Sequence, residues 1–538
     1  MSMFGEHSLN GKGGSVRRRL LFTMGMVVLA AGLIGSMTSA GAASGHRALP
    51  TGRTGVKGLP QFNAKGTVPS NLKPGTTPRG PRTPGAPGVG VSWAGISDGS
   101  VAPPDPNGAI GPLSYIEIIN LQIAIYTRAG GLTASATLAT LTGHSQFSLS
   151  DPMVLWDADT QRFYYNVWDV TQATMAWGFS KNNNPTSIPS SFCNYTASFG
   201  YNPSVDIPDY PKLGQTKNFL LIGVNHYPSF TSLHADRSDV LWITKPQGSD
   251  PITTCPSTTT FKSGKFTNVR NEDGTQAWTP VPAIQIDPSK NGFVVTSSDV
   301  ECPDLCGTGN LITVHAVRPN PTDPTKPQLL VTGHSITVPS FVGPNQSTFG
   351  APQKNTTKQL NVLDGRLEHA VSAIDPTNGK VVVWTGHAVM KGTTSTEFRW
   401  YEILPTPIPT PSLVQSGVVS DPSLFVFNGA ASPDRACTLT ICAHGDSVVI
   451  GFTTSSSTTF PAVQMVSKIG AGAQSAFVTV HTATTFDNDF TCNPICRWGD
   501  YGGATPDPTK TSGTHGEVWL TQDTTNGTNT TWNWEALP

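Results

Sequence analysis

The feature that most constrains this chain is a recurring unit: a short apolar strand, a tight turn carrying Asp-Pro, Asp or Gly, and a second apolar strand. Its clearest copies are Ala283-Ile284-Gln285-Ile286 with the turn Asp287-Pro288 and Phe293-Val294-Val295, and Ala370-Val371-Ser372-Ala373-Ile374 with Asp375-Pro376 and Val381-Val382-Val383-Trp384. β-branched and aromatic runs punctuated by Asp, Pro and Gly read as hairpins. The same pattern occurs at Tyr115-Ile116-Glu117-Ile118-Ile119, at Met153-Val154-Leu155-Trp156, at Phe219-Leu220-Leu221-Ile222 and at Val448-Val449-Ile450. A last copy runs from Arg497-Trp498-Gly499-Asp500-Tyr501 to Val518-Trp519-Leu520. In most units a third strand follows, as in Val240-Leu241-Trp242-Ile243-Thr244. The turns lie roughly 46 to 88 residues apart, the spacing of propeller blades. The pattern predicts an all-β chain whose residues 91–538 form a single β-propeller of seven blades; six and eight also fit the spacing. An array of β-sandwiches fits less well, since each needs about seven strands in roughly 100 residues. Trp532-Asn533-Trp534-Glu535-Ala536-Leu537 is expected to close the ring against the first blade.

The N-terminus reads as an export signal over residues 1–42. Arg17-Arg18-Arg19 precede an apolar run from Leu20 to Gly35 too short to span a bilayer comfortably, and Ala40-Gly41-Ala42 offers a small-x-small cleavage site. The expected location is therefore secreted, by the general route although Arg18-Arg19 faintly resembles a twin-arginine signal; an uncleaved anchor is the alternative. Residues 43–90, rich in Pro, Gly, Thr and basic residues, have too few large apolar side chains to bury a core and read as a disordered linker. Charged residues make up 13% of the chain and the formal net charge is −1, which argues against nucleic acid as a partner. The expected partner is an extracellular glycan or protein, the expected state a monomer with no transmembrane segment after cleavage.

All eight cysteines lie beyond residue 190. Three close pairs, Cys302–Cys306, Cys437–Cys442 and Cys492–Cys496, leave Cys193–Cys255 as the fourth. An even count in an exported chain predicts disulfides; a cysteine metal site is the alternative, disfavoured because no C-x-x-C occurs.

Pro104-Asp105-Pro106-Asn107-Gly108-Ala109-Ile110-Gly111, Leu363-Asp364-Gly365-Arg366, Arg497-Trp498-Gly499-Asp500-Tyr501 and Trp532-Asn533-Trp534 together resemble the blade signatures of large secreted bacterial β-propeller proteins in sialidase-like propeller space. The resemblance covers residue 91 to the end and implies the propeller fold; it carries no catalytic assignment. Where such relatives place acidic residues and a Cys in the last unit, this chain has Lys510-Thr511-Ser512-Gly513-Thr514-His515.

A propeller gathers equivalent residues of successive blades around its axis. Asp105, Asp151, Asp209, Glu368 and Asp500 each lie five to seven residues before their unit's turn, and Asp421 begins the corresponding strand of the sixth unit. They are expected to ring one mouth of the channel, with Arg366, His369 and Arg497 in the same zone. Such a ring could bind a sugar, a peptide or a structural cation; no cofactor is otherwise implied. The plainer reading is that each Asp caps a turn or holds backbone amides. The catalytic candidates are Asp151, Asp209, Arg366, His369, Arg497 and Asp500. The ligand-binding candidates are Asp105, Trp278, Trp498 and Tyr501, with Trp93 a further stacking candidate. Arg366, Arg497 and Tyr501 suit a sialidase, yet the aspartate-box repeat is absent. No H-E-x-x-H, G-x-S-x-G or phosphate loop occurs, and Asp157-Ala158-Asp159 lacks the remaining ligands of a calcium loop. A binding or scaffold protein is the leading expectation, and a glycan-active hydrolase or lyase using paired carboxylates the alternative.

Overall fold

The computed structural model describes residues 86–538 except 233, 288, 302–306, 436–443 and 511–514. The signal and almost all of the linker expectation lie outside the described residues, as do the pairs Cys302–Cys306 and Cys437–Cys442. Strand Gly88–Ser97 begins inside the span read as linker.

Among the described residues the chain folds into seven sheets of four or five strands, antiparallel but for one short parallel pairing in the fifth, plus a small three-stranded one. In chain order their first strands are Asn107–Ile110, Leu149–Asp157, Ile207–Gln215, Ala277–Pro282, His369–Asp375, Phe425–Pro433 and Gly503–Pro506. Each is followed by successive hairpin partners, as the repeat required. Every sheet packs on the next through its first strands, and the seventh packs on the first. The core is accordingly seven layers, each between two sheets. Leu155 and Tyr164 meet Leu213 and Leu220 between the second and third sheets, for example, and Trp384 and Trp400 meet Phe427 and Ile450 between the fifth and sixth. Each sheet is apolar on both faces because each is covered on both, which is a propeller.

The ring closes differently from the expectation. The last strand, Asn529–Leu537, pairs on one side with Val518–Thr525 and on the other with Gly88–Ser97. The N-terminal strand is thus the outer strand of the seventh sheet, not the start of the first. Trp93 is carried into the layer between the seventh and first sheets, against Tyr115 and Trp519. Unit four also needs correction. Its first strand is Ala277–Pro282, and Ile284–Gln285 instead adds in parallel to His369–Asp375 of the fifth sheet.

A second repeat was not legible as such. Asp105, Asp151, Tyr210, Thr279 and Asn428 all adopt positive φ, between 49° and 57°. The next residue is Pro in four cases (Pro106, Pro152, Pro211, Pro280) and Gly429 in the fifth. In the second, third, fourth and sixth sheets the pairing register shifts at this point. Proline has no N–H for the ladder, so a bulge is its natural place within a strand. The bulge bends the first strand near one end of each of these sheets.

Candidate functional site

At that end the bulges of the first, second and third sheets are laced to the segment that leads into the seventh. Asp105 Oδ1 accepts from the Asp500 backbone N–H at 2.8 Å and Asp105 Oδ2 from Asn120 Nδ2 at 2.7 Å. Asn120 Oδ1 accepts from the Asp151 N–H at 2.8 Å. Asp151 in turn accepts from Ser150 Oγ at 2.5 Å and from the Tyr501 hydroxyl at 3.1 Å. Tyr210 donates its hydroxyl to the Asp500 carbonyl at 2.8 Å. Lys212 Nζ lies 3.9 Å from the Tyr210 ring centre and 3.6 Å from that of Tyr501, and reaches the Asp500 carbonyl at 3.4 Å.

Two arginines complete the cluster. Arg366 pairs with Asp364, both side chains almost fully buried, and stacks over Tyr210 and Trp278 at 4.4 and 5.5 Å. Arg497 pairs with Asp500 on the more exposed rim. Arg497 is presented by the small sheet, in which Gln359–Leu360 pairs in parallel with Ile495–Cys496, and by the Cys492–Cys496 disulfide just before it. This brings the Asp364-Gly365-Arg366 segment and the Arg497-to-Tyr501 segment to one place although over 130 residues of sequence separate them.

The electrostatics follow from burial. Asp105 and Asp209 are held well above the usual carboxylate range and Asp151 above it, each first by burial and then by neighbouring carboxyls, Asp500 among them. Glu368 is pushed up to about 8 by burial, although its two oxygens accept from the backbone N–H groups of Ala388 and Gly429. Lys212 is drawn down to about 7 by burial, against the pull of Glu368 and Asp105. His369 falls to about 4 through burial and then Lys212.

The structure brings Asp105, Asp151, Asp209, Arg366, Glu368, His369, Arg497 and Asp500 into one electrostatically linked cluster. Asp421 does not join them. It lies outside Phe425–Pro433, where its carboxylate caps a turn by accepting from the N–H groups of Ser423 and Leu424. Asn428 holds the bulge position of that sheet instead. Trp278, Trp498, Tyr501 and Trp93 are no more than 1% exposed, so none offers a ring face as a sugar platform. Packing between sheets claims them. Asp105 is likewise spent on Asn120 and the Asp500 amide, not on a ligand. Cys193–Cys255 and Cys492–Cys496 are disulfides, with S–S distances of 2.02 and 1.97 Å. Asp157 caps its hairpin turn, accepting from the Asp159 N–H and the Thr160 hydroxyl.

Two carboxyl groups are not used up. Asp209 makes no side-chain hydrogen bond among the described residues although it is only 5% exposed. Asp500 Oδ1 is buried with no hydrogen-bond partner. Asp209 feels the charges of Asp151, Arg366, Asp500 and Arg497. Lys212 and Tyr210 were missed from sequence. The signal was present in Tyr210-Pro211-Lys212, which repeats the Asp151-Pro152-Met153 spacing with a different residue before the proline.

No protein-family model and no curated protein matches the sequence. Solved structures similar to this chain include a glycoside hydrolase, at 9% identity and a TM-score of 0.31, covering 62% of this chain and 88% of that one. Another is an endo-arabinase from Bacteroides thetaiotaomicron VPI-5482, at 12% identity and a TM-score of 0.29, covering 60% and 96%. A third is an endo-1,5-alpha-L-arabinanase from Thermotoga petrophila RKU-1, at 11% identity and a TM-score of 0.29, covering 80% and 97%. No helix among the described residues is long and apolar enough to cross a membrane.

Proposed function

We propose that this chain is a secreted glycan-active hydrolase whose acid–base pair is Asp209 and Asp500 at the axial mouth of a seven-bladed propeller. The observation that carries the reading is Asp209: a buried carboxyl, shifted well upward, with no hydrogen bond to spend it on. A buried carboxyl whose protonated form is favoured, beside a second carboxyl group, is the arrangement that protonation of a glycosidic oxygen requires. Asp209 donates the proton to the leaving group. Asp500, held in an ion pair by Arg497, supplies the carboxylate that acts at the anomeric carbon, directly or through a water. Burial first, and then the neighbouring Asp151 and Asp500, favour the protonated form of Asp209. The scheme uses side chains alone and calls on no cofactor. The Cys193–Cys255 bridge supports an extracellular setting, where disulfides persist.

A binding or scaffold role is the second reading. It is favoured by Asp105 and Glu368, whose carboxylates are tied to backbone amides of neighbouring sheets.

The test is release of reducing ends from a panel of glycans by the full exported chain, with Asp209→Asn and Asp500→Asn as variants. Removing a general acid costs about 10²- to 10⁴-fold in rate, so each variant should lose at least about a hundredfold while keeping its circular dichroism and melting temperature. Full activity in Asp209→Asn defeats the assignment. Binding without cleavage, unchanged in both variants, establishes the scaffold reading instead.

A further inference from the structure

At the end of the third and fourth sheets away from the mouth, two hairpin turns and a strand end enclose a pocket of about 460 Å³. The first turn, Thr216-Lys217-Asn218, follows Gln215, at the far end of strand Ile207–Gln215 from its bulge between Asp209 and Lys212. The second, Ser289-Lys290, precedes strand Gly292–Ser298. Glycine at 292 lets the two turns touch, since a Cβ there would fall 2.2 Å from Thr216 Cγ2. The third wall is Val317-Arg318-Pro319 with Pro321, at and beyond the end of strand Thr308–Pro319. Ligand pockets commonly enclose about 300–1,000 Å³, so the space admits a small molecule or a short stretch of a polymer.

Its lining is one-sided in charge. Lys217, Lys290 and Arg318 are exposed side chains on its wall, and no carboxylate is among the lining residues. Among the described residues none of the three is in an ion pair; Arg318 Nε donates to Gln328 Oε1 at 3.2 Å. Neighbouring acids are mostly spent. Asp323, in the loop beyond Pro321, pairs with Lys326 at 3.1 Å. An adjoining recess that shares Thr216 and Lys217 is lined by Asp157, Asp159 and Asp287. Asp157 is paired there with Lys245 and Asp287 with Arg435, which leaves Asp159 against three cations.

The uncharged groups have the same sense. Thr216 Oγ1 accepts from the Asn218 and Phe219 N–H groups, and Ser289 Oγ from the Asn291 N–H at 3.3 Å. Each hydroxyl has used its acceptor side on its own turn and keeps a proton to donate. Two ammonium groups, a guanidinium and two hydroxyls form a wall of donors, the complement of an oxyanion. Val317, Pro319 and Pro321 set apolar faces beside them, which suit the C–H face of a sugar ring. A free inorganic ion would leave those faces bare, and an extended nucleic acid would need a basic stripe that a chain of net charge −1 does not carry. We propose that this pocket binds an anionic glycan, with a sulfate, phosphate or carboxylate group of one sugar unit set against Lys217, Lys290 and Arg318. The site is separate from the carboxylates of the mouth, and binding at it needs no cleavage there.

The test is calorimetry on the full exported chain carrying Asp209→Asn. The probes are trigalacturonate, a sulfated carrageenan tetrasaccharide and mannose 6-phosphate, against galactotriose, tetraglutamate, inorganic sulfate and inorganic phosphate. At least one anionic saccharide should bind with a stoichiometry of one, at least tenfold more tightly than galactotriose, and more weakly as salt is raised. Which of the three binds best identifies the oxyanion. Adding Lys217→Ala and Lys290→Ala together should weaken that ligand by at least about tenfold, the loss expected for hydrogen bonds to charged groups. Lys380→Ala, exposed at the start of a strand in the fifth sheet, should leave its affinity unchanged. If the double lysine variant does not fold, acetylation of Lys217 and Lys290 in the unmutated pocket, read by mass spectrometry, should fall at least tenfold under saturating ligand while that of Lys380 does not. No binding by any of the three, equal affinity for galactotriose, tighter binding of tetraglutamate, or lysines whose removal or acetylation is indifferent to the ligand overturns the site. Inorganic sulfate or phosphate binding as tightly as the saccharides means an adventitious ion only and overturns it as well. Binding that persists when wild-type protein cleaves no glycan removes the hydrolase and leaves this site.

Discussion

Glu368→Gln offers a quantitative test of how the mouth is held. The carboxyl bridges two sheets: Oε1 accepts from Ala388 N–H at 2.8 Å within the fifth, and Oε2 from Gly429 N–H at 2.5 Å in the sixth. Burial raises it from 4.5 to about 8. The folded protein therefore binds a proton that the unfolded chain releases, and this contribution to stability is complete below pH 4.5 and lost as pH rises through about 8. A shift of this size corresponds to about 5 kcal/mol, lost at a limiting slope of about 1.4 kcal/mol per pH unit. Gln cannot titrate, but it has one acceptor for two N–H groups and should cost about 2 kcal/mol at pH 5. The two stability curves should cross at about pH 6.5, where the wild type has given up about 2 kcal/mol more than at pH 5, and the variant should be the more stable above it. Urea denaturation followed by tryptophan fluorescence, from pH 5 to pH 8.5, reads this directly. If Glu368→Gln keeps the wild-type slope, the proton is not on Glu368 and the account of the mouth's electrostatics is wrong.

Gly223→Ala would place a Cβ 1.9 Å from the Pro280 carbonyl oxygen of the next sheet and should destabilise by at least about 3 kcal/mol. Gly379→Ala, at a φ of 67° with nothing within 4 Å, should cost only about 1 kcal/mol in the same urea titration. Replacing Cys193 and Cys255 by Ser opens a bridge spanning 62 residues and should cost about 4 kcal/mol, against about 2 for Cys492 and Cys496, which are four apart. Arg435→Met strands the buried Asp287 carboxylate, paired at 2.7 Å, and should cost about 3–5 kcal/mol; adding Asp287→Leu should recover part of that loss.

The sequence carried the architecture because the propeller is built from local contacts. Hairpins such as His369–Asp375 with Lys380–Lys391 pair residues adjacent in the chain, and the turn residues between them are legible one unit at a time. The same locality drew attention to Asp105, Asp151, Asp209 and Asp500 as acids ahead of their turns, although the bulge makes Tyr210, not Asp209, the counterpart of Asp105 and Asp151. It failed where pairing is not local. Nothing in Gly88–Ser97 announces that it will pair with a strand more than 430 residues away, and Ile284–Gln285 looks like the strand it is not. Asp421 was read as the start of the sixth unit's corresponding strand; the bulge beginning at Asn428, marked only by a following glycine, decided otherwise.

What the sequence determined by itself, then, is that the chain makes repeated hairpins and brings a set of acids to one end of each. Which of those acids are free for chemistry was decided only by the tertiary structure. Asp105 and Glu368 are consumed by amides of neighbouring sheets, and Asp209 is not. Trp278 and Trp498 could have been platforms on a surface, and the layers between sheets buried them. The reason is the same in each case: a hydrogen bond or a buried face depends on which residue of another sheet arrives at that point, and a single unit's sequence does not contain its neighbour.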